Sequence, residues 1–206
     1  MKRRRLQAII MAGALAAAGG LALAAASQAE PPRPAVRYTP EGKLEFPADY
    51  RTWVYLSTGL DMAYVENPDA SQTHLFDSVF VNREAYDAFQ KTGTWPDHTV
   101  MVLEVRRGVQ KGSINKRGHF QADRLAAEVH VKDQARFKDT GGWGFFGFNG
   151  EKPAPLIPAK AGCVACHEAH GAVDTTFVQF YPTLLPLARA KQTLSAAYLK
   201  DEAAAK

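Results

Sequence analysis

The chain has 206 residues, with 25 lysines and arginines against 21 aspartates and glutamates, for a formal charge of +4. Lys2, Arg3, Arg4 and Arg5 supply that whole excess, so the rest of the chain is neutral and carries no global signal for nucleic acid or an anionic membrane. Its only two cysteines stand three residues apart, which excludes a disulfide framework.

Residues 6–26 are apolar and rich in Ala and Gly, and small residues follow at Ser27-Gln28-Ala29. A basic start, an apolar run and such a site read as a cleaved secretory signal peptide over residues 1–29, which predicts a periplasmic product. The competing reading is a membrane anchor, since the run is long enough to span; the cleavage site argues against it. Residues 30–44, with Pro31, Pro32, Pro34 and Pro40, read as an extended leader.

A single domain is expected over 45–190. Pro47 to Leu56 reads as a first helix, with Tyr50, Trp53 and Val54 at helical spacing. Residues 60–76 read as irregular. Val79-Phe80-Val81 is a short strand, and Asn82 can cap a helix through Tyr86 and Phe89 that Gly93 stops. Trp95-Pro96-Asp97 is a turn. Thr99 to Val105 is apolar on both faces and so predicts a central strand, interrupted only by Glu104, which is expected to reach solvent at the strand end. Arg106 to Arg124 reads as a solvated basic loop, with docking of an acidic redox partner as the other use for it. Leu125, Ala127, Val129 and Val131 alternate with polar neighbours, a half-buried strand.

Gly141 to Phe148 holds four aromatic residues among glycines and serves either as sheet core or as a pocket wall. After a Pro-rich loop comes Cys163-Val164-Ala165-Cys166-His167. Two thiols at this spacing followed at once by histidine form the attachment signature of a haem c. Each thiol adds to one vinyl group of the porphyrin, and His167 then supplies an axial nitrogen to the iron. Cys163, Cys166 and His167 are therefore the cofactor-binding candidates, His167 the metal ligand, and no catalytic residue is assignable. A thioredoxin-like redox pair and a zinc site completed by His170 are the alternatives. Thr175 to Leu187 is broken by Pro182 and Pro186 into two short helical pieces, and residues 191–206 read as a mobile tail.

Several blocks in one order, Tyr50-Arg51-Thr52-Trp53, Phe80 to Tyr86, Gly93 to Asp97, Val131-Lys132-Asp133, Arg136-Phe137, Thr140 to Phe145 and Cys163 to His167, resemble the cytochrome P-460 family, which includes the cytochromes c′-beta. The resemblance implies an α+β fold, an antiparallel β-sheet packed by helices, usually as a homodimer. It implies one high-spin, covalently attached haem c with an open or weakly held distal position. Members range from hydroxylamine-oxidising enzymes to binders of nitric oxide and carbon monoxide. The oxidising members cross-link a lysine to the porphyrin. This chain has no lysine between Lys91 and Lys111, Leu103 stands about where one is expected, and Lys132 is the remaining candidate.

The expected function is a periplasmic mono-haem cytochrome that binds nitric oxide or carbon monoxide or takes part in nitrogen-oxide redox chemistry. A simple electron carrier, with a redox partner protein, is the alternative. So is a hydroxylamine-oxidising enzyme, should a cross-link exist. Distal candidates are His74, His98, His119, His130, His170, Met62 and Met101; Arg83, Glu104 and Arg136 are candidates for propionates or distal water.

Overall fold

A computed structural model describes residues 36–63, 74–110 and 112–205. The signal peptide expected over 1–29, and the first residues of the leader, lie outside the described residues. Five strands, β1 (Val54–Leu60), β2 (Leu75–Val81), β3 (Val100–Val109), β4 (Phe120–Lys132) and β5 (Trp143–Phe148), form one antiparallel meander in chain order. Among the described residues four α-helices accompany them: α1 (Arg83–Thr92), α2 (Gly162–His170), α3 (Leu185–Ala190) and α4 (Ala196–Ala204). The α+β expectation holds, and β3 is the central strand.

Period-2 alternation divides the sheet into two faces. On β3, Val100 and Val102 enter one apolar cluster with Val129, Phe146 and Phe148, closed over by Leu44 and Tyr50 from the N-terminal segment. Met101 enters the other, with Trp143 and Phe145, under α1, α2 and α3. Gly141 to Phe148 therefore serves as sheet core on both faces, and none of its residues lines the cavity described below. Leu44 is fully buried and pairs with Ala154, so this part of the leader is a packed segment.

The first predicted helix is a turn that runs into a strand. Only Tyr50–Thr52 makes a 3₁₀ turn, and β1 begins at Val54, paired with Val81. Three apolar residues at helical spacing are a weak signal, and the β-branched and aromatic run Val54-Tyr55-Leu56 finds a partner strand that overrides it. β2 likewise begins at Leu75, inside the stretch read as irregular. Arg106, Arg107 and Arg124 lie in strands, not in a loop; β3 runs on to Val109 and β4 starts at Phe120. Two bulges in this pairing, around Arg106, mask the alternation in the sequence.

α1 matches its prediction and stops at Gly93, whose φ is 78°. Asn82 stands at its N-cap position but turns its side chain to β3, accepting from the Val100 N–H at 2.8 Å. Residues 196–204, read as part of a mobile tail, form α4: Ser195 accepts from the Tyr198 N–H, and Asp201 meets His170 of α2 at 2.5 Å. Among the described residues no helix is long and apolar enough to cross a membrane.

Candidate functional site

Helical spacing puts Cys163, Cys166 and His167 of α2 on one face, at i, i+3 and i+4. Val164, 3% exposed, anchors the helix in the core from a neighbouring face. Both cysteines are free and half-buried, and Cys163 packs against the core cluster under the helices.

His167 is held on three sides. Phe177 stacks on it with ring centroids 4.2 Å apart, while Phe145 and His130 meet it edge-on at 5.1 and 4.8 Å. Its Nδ1 lies 2.8 Å from the Thr175 carbonyl oxygen. Burial, then the neighbouring His130, pushes the His167 pKa down to about 4. The ring is therefore neutral near pH 7, Nδ1–H donates to the carbonyl, and the Nε2 lone pair is left for a ligand.

That imidazole lines a cavity of about 320 Å³ between the sheet and the segment after α2. Val79, Met101, Leu103 and Val105 make its sheet wall, and Phe177 and Tyr181 lie on the side of His167. Two carboxylates, Asp77 and Glu128, also line it. Burial, then the charge of Glu128, raises the Asp77 pKa. His130, its Nε2 3.9 Å from Glu128, holds the Glu128 carboxyl below its usual range.

The residues fit a haem on their own chemistry: a neutral imidazole with a free nitrogen, two free thiols on the same helix face, and an apolar concavity beside them. They do not fit the zinc reading. His170 turns to Asp201 and His167 to Thr175, and among the described residues no cluster of three or more His, Cys, Asp or Glu side chains converges. The all-antiparallel sheet also holds no βαβ unit of the kind that carries a thioredoxin-like pair.

Of the distal candidates, His130, Met62 and Met101 reach the cavity. His130 packs edge-on beside His167, which is not an arrangement across an intervening atom. Met101 is 3% exposed in the core, and Met62 folds back so closely on Gly59 that a Cβ there would meet its Sδ at 2.1 Å. His74 pairs with Asp61 at 2.7 Å and packs on His119; His98 is exposed beside Asp97.

Neither Arg83 nor Arg136 lines the cavity: Arg83 is exposed beside Asp87, and Arg136 lies over the Tyr38 ring. Glu104 corrects its expectation most. It is fully buried on the opposite face, bound by the Tyr50 hydroxyl and Arg51 and ion-paired with Arg106 at 3.0 Å. A strand extended by five residues beyond it put it in the interior.

Thr175, Phe177, Asp77 and Glu128 were not singled out from the sequence. The carboxylates meet the site only through strand pairing, which flanks Leu103 with Val79 and Glu128. Gly171 was the one local signal for Thr175, since a Cβ there would lie 2.6 Å from the Thr175 carbonyl carbon.

A protein-family model, Cytochrome P460, matches residues 47–178, well over half of the chain. No curated protein matches it.

Proposed function

The chain belongs to the cytochrome P460 family, which makes it a haem-binding cytochrome, and we propose that it carries one haem c, attached through Cys163 and Cys166 and ligated by His167, with the other side of the iron open to a small neutral ligand. When bound, the haem supplies an iron that can take a ligand such as nitric oxide or carbon monoxide, or exchange one electron. The observation that carries the reading is the tie from His167 Nδ1 to the Thr175 carbonyl, which presents Nε2 alone to the cavity. The apolar wall of Val79, Leu103 and Val105 offers a ligand no hydrogen-bond partner on that side and so favours a small neutral one, since a polar group buried without a partner costs about 1–3 kcal/mol. The sequence of residues 1–29 supports export to the periplasm.

Hydroxylamine oxidation through a lysine–porphyrin cross-link is disfavoured. Among the described residues no lysine lines the cavity, and Lys132 gives its ammonium to the Trp95 carbonyl at 2.8 Å and to the Asp174 carboxylate. The second reading, a plain electron carrier, needs a filled sixth position; Met62 on the cavity wall carries a thioether donor for it.

Acid-acetone treatment should leave haem on the chain, and the reduced protein should take up carbon monoxide with an ordinary c-type Soret band. Digestion should return haem on the Cys163–Cys166 peptide alone. Haem released into the solvent would refute covalent attachment. A low-spin spectrum indifferent to carbon monoxide would restore the electron carrier, and a lysine peptide joined to haem would restore the enzyme.

A further inference from the structure

Lys132 is a buried cation, 6% exposed, on the cavity side of the sheet yet outside the cavity wall. Its ammonium binds Asp174, the residue before the Thr175 carbonyl that holds His167. Asp174 and Thr175 both have left-handed backbones, with φ of 54° and 58°. They are the two central residues of a tight turn closed by the Thr176 N–H donating to the Val173 carbonyl at 2.8 Å. Such a turn favours Gly or Asn at both positions, and a β-branched threonine is strained there. The strain persists only because the surroundings hold it. Trp95 Nε1 donates to Thr176 Oγ1 at 2.9 Å, and Lys132 bridges Asp174 to the Trp95 carbonyl. One cation thus links the sheet, the residues after α1 and the turn behind the histidine.

We propose that Lys132 is a positioning residue for the axial histidine: through Asp174 it fixes the turn whose Thr175 carbonyl accepts from His167 Nδ1. The proposal rests on His167 being the iron ligand. A hydrogen bond at the far nitrogen fixes the ring and raises its donation to a metal, and losing such outer partners typically changes affinity or activity about 10–100-fold. Without Lys132 the turn keeps its tie to Trp95 but loses the one at Asp174, so the Thr175 carbonyl is held less firmly, which would weaken a bond from His167 to iron and favour the ferrous state.

The test uses the full-length holoprotein. Resonance Raman of the ferrous wild type should show an iron–imidazole stretch that disappears in His167→Gly. In Lys132→Met that band should move to lower frequency. The midpoint potential should rise by the equivalent of about tenfold in the ferrous-to-ferric ratio, or about 59 mV for one electron. Asp174→Asn, which tolerates the left-handed backbone, should shift both in the same direction and decides the matter if Lys132→Met fails to fold. An unmoved band and potential in Asp174→Asn, and in Lys132→Met where it folds, overturn the positioning role, even if melting temperatures fall. No band in the wild type, or one that survives His167→Gly, removes the ligand reading and this proposal with it.

Discussion

The two faces of the sheet use their carboxylates differently. On the closed face Glu104 is fully buried, and Tyr50, Arg51 and Arg106 satisfy it. On the cavity face Asp77 and Glu128 border a concavity, and the inward imidazole of His167 keeps one nitrogen without a hydrogen bond among the described residues. β3 builds both: Val100, Val102 and Glu104 point one way, and Met101, Leu103 and Val105 the other. A face completed by its own side chains contributes stability. A face that leaves an apolar hollow and a free donor is completed by something else, and here the family supplies the haem.

The largest effect expected from separating the faces is on stability. Glu104→Ala leaves the half-buried Arg106 without its carboxylate and should cost about 3 kcal/mol in urea unfolding, the low end for removing one partner of a buried pair. Carbon monoxide uptake should stay at the wild-type level; if it falls too, the faces are not independent. Burial alone would raise the Glu104 pKa, but Arg106, Tyr50 and Arg51 outweigh it and hold it below its ordinary 4.5. The contribution is therefore complete above about pH 4.5 and is lost as pH falls through the depressed value. The wild-type advantage over Glu104→Ala should shrink on acidification below that point.

Gly171→Ala should strike the cavity side. Its Cβ would meet the Thr175 carbonyl carbon at 2.6 Å, so the turn behind His167 must move. A loss of about 2 kcal/mol is expected, together with a changed haem absorption spectrum. A destabilised protein with an unaltered spectrum would show that Thr175 does not control the ligand.

Leu103→Asn, one residue from Glu104 but facing the cavity, should reverse the first result. Carbon monoxide affinity should drop about fivefold, about 1 kcal/mol, as the amide brings water into the wall. Urea stability should change less than in Glu104→Ala. Arg83→Ala serves as the baseline: its pair with Asp87 spans 3.5 Å and is 63% exposed on the arginine, so less than about 0.5 kcal/mol and no spectral change are expected.

Elements with one dominant local cause were legible in the sequence. The helix between Asn82 and Gly93, the central apolar strand and the Cys163–His167 motif each depend on residues adjacent in the chain. Pro47 to Leu56 was misread because a partner strand, distant in sequence, outweighed a short helical spacing. Glu104 was misread because its burial depends on Tyr50 and Arg51, more than fifty residues away, and on strand pairing past two bulges.

The sequence by itself determined the chemistry available: two thiols and a histidine at a spacing only a short helix face brings together, and an alternation that makes β3 two-sided. Tertiary structure decided what that chemistry faces. Sheet register brought Asp77, Leu103 and Glu128 to one wall, and a left-handed turn held from the sheet by Lys132 set the Thr175 carbonyl behind His167. Covalent order dictates which groups lie within a few residues of one another; only packing, which offsets loop-closure entropy with burial, dictates which distant groups meet.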